Sequence, residues 1–103
     1  MLGLAVVEGA SMRPTLREGD RLLVRYGARP RPGRVALVRL PERPLSVKRL
    51  GLRTAAGWWV ERDNPAQGVD SWTAGVGALT DADVVALVLA RLWPRPTLRF
   101  PRP

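Results

Sequence analysis

One serine and one lysine stand out among the side chains that could do chemistry. Ser11 lies in the constrained segment GASMRPTLREGD at residues 9–20, and Lys48 lies in LSVKRLGLR at residues 45–53. A serine hydroxyl becomes an effective nucleophile only when a base removes its proton. The chain has no histidine and no cysteine, and an arginine guanidinium does not deprotonate in a protein. The candidate bases are therefore the carboxylates and the Lys48 amine.

Lys48 is the single lysine of a chain that otherwise uses arginine at every basic position. A solvated surface charge does not require lysine, whereas a general base does. The two-residue period of a strand places Lys48 on one face with Ser46, Leu50 and Leu52, and Arg49 on the other. Burial between apolar neighbours favours the neutral amine. The alternative is that Lys48 extends from a sheet edge into solvent.

The composition limits the classes of protein that the chain can form. Its 103 residues are enough for one domain, and 46% apolar residues indicate a globular chain. Without cysteine or histidine there are no disulfides and no thiolate zinc sites. Cysteine proteases, Ser-His-Asp hydrolases and HExxH metalloenzymes are excluded for the same reason. We therefore expect no metal and no cofactor.

The net charge of +8 raises the question of an anionic partner. The arginines are spread along the chain, so we expect no obligatory nucleic-acid partner, and a basic nucleic-acid-binding β-domain is the alternative. No segment approaches the roughly 18 apolar residues of a membrane span, and the opening MLGLAVV is too short for a signal peptide. We expect a cytoplasmic protein with no membrane anchor visible, or a membrane-associated one if the natural N-terminus is longer.

Short apolar segments separated by proline and glycine predict an all-β fold. The predicted strands are residues 2–8, 20–26, 34–40, 45–53 and 57–62. Residues 83–93 form a long apolar run that periodicity alone leaves as strand or helix, and its valines favour a strand. The prediction is a mainly antiparallel coiled sheet or barrel-like domain over residues 1–93, with little helix. Residues 94–103 form a proline- and arginine-rich tail, extended or frayed.

Three segments, in order, resemble the boxes of the S26 signal-peptidase family. GASMRPTLREGD resembles the S-M-x-P-T box, LSVKRL the box with a K-R pair, and RDNPAQGVDSWTAG the box that normally reads G-D-N and then D-S-R. The resemblance covers about residues 5–93 and implies a serine endopeptidase with a Ser-Lys dyad on a signal-peptidase/LexA-like β fold. Related repressor-cleaving peptidases share the Ser-Lys chemistry, and the third box favours S26.

The resemblance also implies a role for each matching residue. Ser11 becomes the nucleophile, Lys48 the general base and Ser71 the serine that orients the lysine amine, unless Ser71 only caps a turn. The backbone of Ser11 supplies half of an oxyanion hole. Gly9 stands where some members carry a hydroxyl donor, so the second donor is a backbone N–H or a water. The resemblance places Met12 near the substrate groove, although its side chain favours the core.

The sequence departs from the family pattern at three positions. Arg62 replaces the glycine before D-N, and Arg34 replaces the aspartate of a G-D pair. Trp72 replaces the arginine after D-S, which would remove an ion pair with Asp70. These departures bear on efficiency and substrate more than on the dyad. Asp63, Asn64 and Asp70 are expected to stabilise the loop rather than to take part in chemistry.

Within S26, the segments LLVRYGARPRPG, VKRL, GWWV and GVDS most resemble the peptidases that mature nickel-type superoxide dismutases. That resemblance implies a protein partner, the dismutase precursor, from which an N-terminal leader is removed. Such cleavage needs an extended substrate paired with a sheet edge. The alternatives are signal peptidase I-type cleavage of secretory preproteins and an inactive interaction domain on the same fold.

Overall fold

The computed structural model describes residues 1–103 and contains six strands. The strands are β1 Leu2–Val6, β2 Arg21–Tyr26, β3 Val35–Val38, β4 Ser46–Thr54, β5 Gly57–Glu61 and β6 Val84–Trp93. The only helix is a single 3-10 turn at Asp81–Asp83. No helix is long and apolar enough to cross a membrane. The predicted all-β class is confirmed.

The six strands form one antiparallel sheet in the order β1-β2-β6-β3-β4-β5. β6 lies in the middle, paired with β2 on one side and β3 on the other. A central strand covered on both faces reads as a continuous apolar run rather than as an alternating one. This explains why periodicity could not separate strand from helix at residues 83–93, and the predicted strand is confirmed.

Core side chains pack on both faces of the sheet. In β3, Val35 and Leu37 belong to one apolar cluster, and Ala36 and Val38 belong to a second. Since neighbouring strand residues point to opposite faces, the two clusters are the two sides of the sheet. Segments outside the strands complete each cluster, including Met12 and Leu16 on the first side and Leu40 and Leu79 on the second. The segment that carries Ser11 is therefore fastened to the core on the side of the first cluster.

β4 carries two basic residues into this double-sided core. Lys48 pairs with Ala36, and Arg49 pairs with Val35. Their exposed fractions are only 3% and 1%. The predicted opposite orientation of the two side chains is confirmed. The placement of Leu52 on the buried face is wrong: it is 74% exposed, because the β4–β5 register shifts between Leu50 and Arg53.

The hairpin and the tail close the domain. β4 and β5 are joined by the two residues 55–56 and form a hairpin. Residues 94–103 form no helix or strand, and the tail packs back on the domain. Phe100 contacts the first apolar cluster, and Arg102 forms an ion pair with Glu61. The tail therefore packs against the same part of the domain as β4 and β5.

Candidate active site

The fold brings Ser11 and Lys48 together across 37 residues of sequence. Ser11 lies in the turn that follows β1, and Lys48 lies near the start of β4. The Lys48 Nζ and Ser11 Oγ atoms are 2.8 Å apart, a hydrogen-bond distance. The Lys48 side chain is buried, so the alternative of a solvated edge lysine does not hold. The pair has the geometry of a hydroxyl nucleophile and an adjacent amine base.

Burial sets the protonation of Lys48. Desolvation lowers the pKa of the amine, and the Coulombic effect of Asp70 raises it. Arg62 and Arg43 lower it further, and the result is a pKa lowered from 10.5 to about 8. An amine with that pKa is partly neutral near neutral pH and can accept a proton from a hydroxyl.

The D-N pair at the start of the third box fixes the nucleophile turn. The Asn64 N–H donates to the Ser11 carbonyl at 2.9 Å, and the Asn64 side-chain amide donates to the Ala10 carbonyl at 2.9 Å. The Thr15 hydroxyl donates to the Asp63 carboxylate. The predicted role of these residues in stabilising a loop matches these contacts, and the segment that they stabilise is the one that carries Ser11.

Arg49 anchors this arrangement, although sequence reasoning gave it no role. Its guanidinium binds the Asp63 carboxylate with two hydrogen bonds, at 2.9 and 2.7 Å. It also donates to the Gly33 and Phe100 carbonyls, at 2.9 and 2.8 Å. Burial by itself raises the pKa of Asp63, but the hydrogen bonds from Arg49 and Thr15 and the charge of Arg49 outweigh it, so the pKa is lowered. The sequence did carry one signal for this role of Arg49, because it is a second basic residue, next to Lys48, in a strand that is buried on both faces.

Gly68 is a further residue that the sequence analysis missed. Its φ is +92°, and a Cβ built there would lie 2.4 Å from the Ser11 Cβ. A side chain at this position would collide with the nucleophile, so glycine is required by close approach as well as by conformation. A glycine in a loop of turn-forming residues gives no sign of which distant residue it faces.

A cleft of about 350 Å³ surrounds the pair and is lined by residues 8–11, 46–48 and 67–69. A larger groove of about 690 Å³ shares residues 8–9 and 46–47 with it. Leu4 and Val6 of β1 and Leu45 line this groove and are all exposed. The site is therefore open to solvent on one side and continuous with an apolar groove.

The remaining predicted site residues are placed differently. Met12 lies in the first apolar cluster, 1% exposed, as its apolar side chain favours, and lines neither cleft, so the groove position that the resemblance implies is wrong. The Ser71 hydroxyl accepts the Val60 N–H at 2.8 Å, and Lys48 donates to Ser11 rather than to Ser71. The orienting role of Ser71 stays a prediction, and its visible contact is with β5.

The expected loss of the ion pair at Asp70 is compensated from another position. Arg62, which stands where the family has glycine, places its Nε 3.7 Å from the Asp70 carboxylate and donates to the Gly68 carbonyl. Trp72, which replaces the family arginine, packs on Trp59 with ring centroids 4.7 Å apart. Asp70 therefore has a basic partner at the other end of the loop from Trp72.

Comparison with known proteins gives the family. The family model described as Peptidase S24-like matches residues 2–85, which include Ser11, Lys48 and Ser71. The chain therefore belongs to the Peptidase S24-like family, a class of serine peptidases related to the S26 family. No curated protein and no solved structure gives a significant match.

Gly68→Ala tests the contact with the nucleophile. We expect kcat/KM to fall about a hundredfold, because displacement of a reacting group by about 1 Å costs that much. Gly75→Ala is the matched control, since Gly75 has a φ of +85° and open space around it. Peptide cleavage and thermal unfolding are measured for both variants. Equal loss of activity in the two would show that backbone strain, rather than contact with Ser11, limits position 68.

Lys48→Met tests the burial of the amine through stability. Because the folded-state pKa of about 8 lies below the unfolded value of 10.5, the folded wild type carries a penalty below pH 8. That penalty is relieved as the pH rises through the 8–10.5 window, and it amounts to at most about 3 kcal/mol. In urea unfolding, wild-type stability should rise relative to Lys48→Met across this window. A constant difference would contradict a depressed lysine pKa.

Proposed function

We propose that this chain is a Ser-Lys endopeptidase that removes an N-terminal leader from a protein precursor. The observation that carries the proposal is the 2.8 Å hydrogen bond between the Ser11 hydroxyl and the buried Lys48 amine. Membership of the S24-like family supports the serine peptidase class. The finer S26 assignment rests on the three boxes.

In the proposed mechanism the neutral Lys48 amine takes the Ser11 proton as Oγ attacks the scissile carbonyl carbon. The ammonium then gives that proton to the leaving amine as the peptide bond breaks, which leaves an acyl-enzyme on Ser11. Lys48, neutral again, takes a proton from water as the water attacks the ester. The acid is released, and Ser11 recovers its proton from Lys48.

The oxyanion that forms in each step needs N–H donors. The Ser11 N–H has no acceptor within the protein, so it is free to bind the developing charge. The Gly9 N–H lies 3.4 Å from Glu18 Oε1, a long hydrogen bond. We propose that the Ser11 N–H is the first oxyanion donor. The Gly9 N–H can be the second donor only if its hydrogen bond to Glu18 breaks when substrate binds.

The proposed substrate is extended and lies along β1. β1 ends the sheet and pairs only with β2, so its outer edge offers unpaired backbone groups. The apolar groove beside Leu4, Val6 and Leu45 leads to the cleft at Ser11. An extended leader could pair with the strand and place apolar side chains in that groove. The resemblance of LLVRYGARPRPG, VKRL, GWWV and GVDS to dismutase-maturing peptidases makes a nickel superoxide dismutase precursor the proposed substrate.

Lys48→Arg and Ser11→Ala test the dyad. We expect both to abolish cleavage in folded protein, because arginine keeps the charge without accepting a proton and alanine has no hydroxyl. In the wild type, kcat/KM should rise with pH to a plateau above the lysine pKa of about 8. Arg39→Lys, at an exposed position of no proposed role, is the control. Near-normal turnover by Lys48→Arg would rule out the dyad.

Co-expression tests the substrate. A nickel superoxide dismutase precursor is produced with the wild type or with Ser11→Ala, and its intact mass and N-terminus are determined. We expect one truncated species with the wild type and none with the variant. Truncation of exported preproteins instead would support a signal peptidase I-type activity. No truncation of either would contradict leader removal.

A further inference from the structure

A second cleft, of about 380 Å³, is lined by four arginines and shares no residue with the one around Ser11. It lies between the segment that joins β2 to β3 and the middle of β6. The arginines that line this arginine cleft are Arg25, Arg29, Arg31 and Arg34. Its apolar lining includes Leu87 and Leu89. All four arginines are exposed, and none was assigned a role in catalysis.

The arginine cleft has no counter-charge. The ion pairs of the chain use other arginines, and no aspartate or glutamate lines the cleft. The one side-chain hydrogen bond among the four arginines joins Arg34 to the Val88 carbonyl, at 3.5 Å. Like charges held together repel one another unless an anion binds between them. The other guanidinium donors are free for a ligand.

A neighbouring cleft extends this basic surface. It measures about 580 Å³, shares Arg34 with the arginine cleft, and adds Arg99 from the tail. Leu98 and Phe100 contribute apolar surface, and no acidic residue is present. The two clefts meet at Arg34 and together expose five arginines and several apolar side chains. Their volumes are larger than one small ion requires.

The segment that presents the arginines is held in place. Prolines at 30 and 32 alternate with the arginines and restrict the backbone. The Gly27 N–H donates to the Val85 carbonyl at 3.3 Å, and the Gly33 N–H donates to the Leu50 carbonyl at 2.7 Å. Both ends are thus fastened to neighbouring strands. A preorganised basic segment loses little entropy when it binds.

We propose that the arginine cleft binds an acidic segment of the polypeptide substrate, away from the bond that is cut. Guanidinium groups bind carboxylates with paired hydrogen bonds. Single-stranded nucleic acid would require aromatic platforms for its bases, and Phe100 is the only aromatic residue of the two clefts. The inference rests on the proposed function, since a peptidase holds a polypeptide ligand by definition.

Binding is tested in the Ser11→Ala protein, so that cleavage plays no part. The probe is fluorescein-labelled octaglutamate, and octaglutamine is the uncharged control. We expect Arg29→Glu/Arg31→Glu to weaken binding by about tenfold or more, since charge-assisted hydrogen bonds are among the strongest. Arg39→Glu/Arg95→Glu makes the same charge change at exposed residues outside both clefts, without side-chain hydrogen bonds, and should change binding less than about twofold.

Three outcomes would overturn the proposal. Equal weakening by the two double variants would show an effect of net charge rather than of the cleft. If octaglutamate does not bind at about 50 mM salt, where charge interactions are weakly screened, an acidic segment is ruled out as the ligand of the arginine cleft. Tighter binding of a single-stranded oligonucleotide, lost in Arg29→Glu/Arg31→Glu, would assign the cleft to nucleic acid. If the wild type does not cleave the precursor, only the proposed peptidase activity is contradicted, because the binding assay does not depend on cleavage.

Discussion

The buried ion pair between Arg49 and Asp63 holds the parts of the candidate active site together. Arg49 is a residue of β4, and Asp63 follows β5 and also accepts the Thr15 hydroxyl. The guanidinium reaches the tail as well, through the Phe100 carbonyl. One charged pair thus links the strand of Lys48, the turn of Ser11 and the C-terminal segment. Removal of either partner would leave an uncompensated buried charge, which costs several kcal/mol, typically about 3–5.

Lys48 and Arg49 show how neighbours in one strand can have opposite electrostatic outcomes. Both are buried, because β4 is covered on both faces. Arg49 faces a carboxylate that binds it in two places, so its buried charge has a compensating partner. Lys48 faces a hydroxyl, which offers a hydrogen bond without a compensating charge, and desolvation lowers its pKa. An amine with a lowered pKa and a paired cation therefore lie side by side in β4, and the partner on each face accounts for the difference.

Much of the fold and half of the site could be predicted from residue types. Alternation and turn residues located the strands, and the absence of histidine directed attention to the one lysine. Contacts between distant segments could not be predicted in this way. Gly68 against Ser11 and Arg49 on Asp63 depend on how the loop from 62 to 72 folds over β4, and no local pattern carries that information. For Met12, the character of the side chain predicted the core correctly, whereas the motif pointed to the groove, because a motif gives a position in sequence but not the face of the turn.

The surroundings of Asp70 show why a departure from a motif need not remove the ion pair that the motif implies. Asp70 raises the pKa of Lys48 and so opposes the effect of desolvation. A positive charge near Asp70 reduces that opposition, and it can come from either end of the loop. Arg62 supplies it from the strand side of the loop and also lowers the lysine pKa directly. With the charge supplied there, position 72 is free to carry the tryptophan that packs on Trp59.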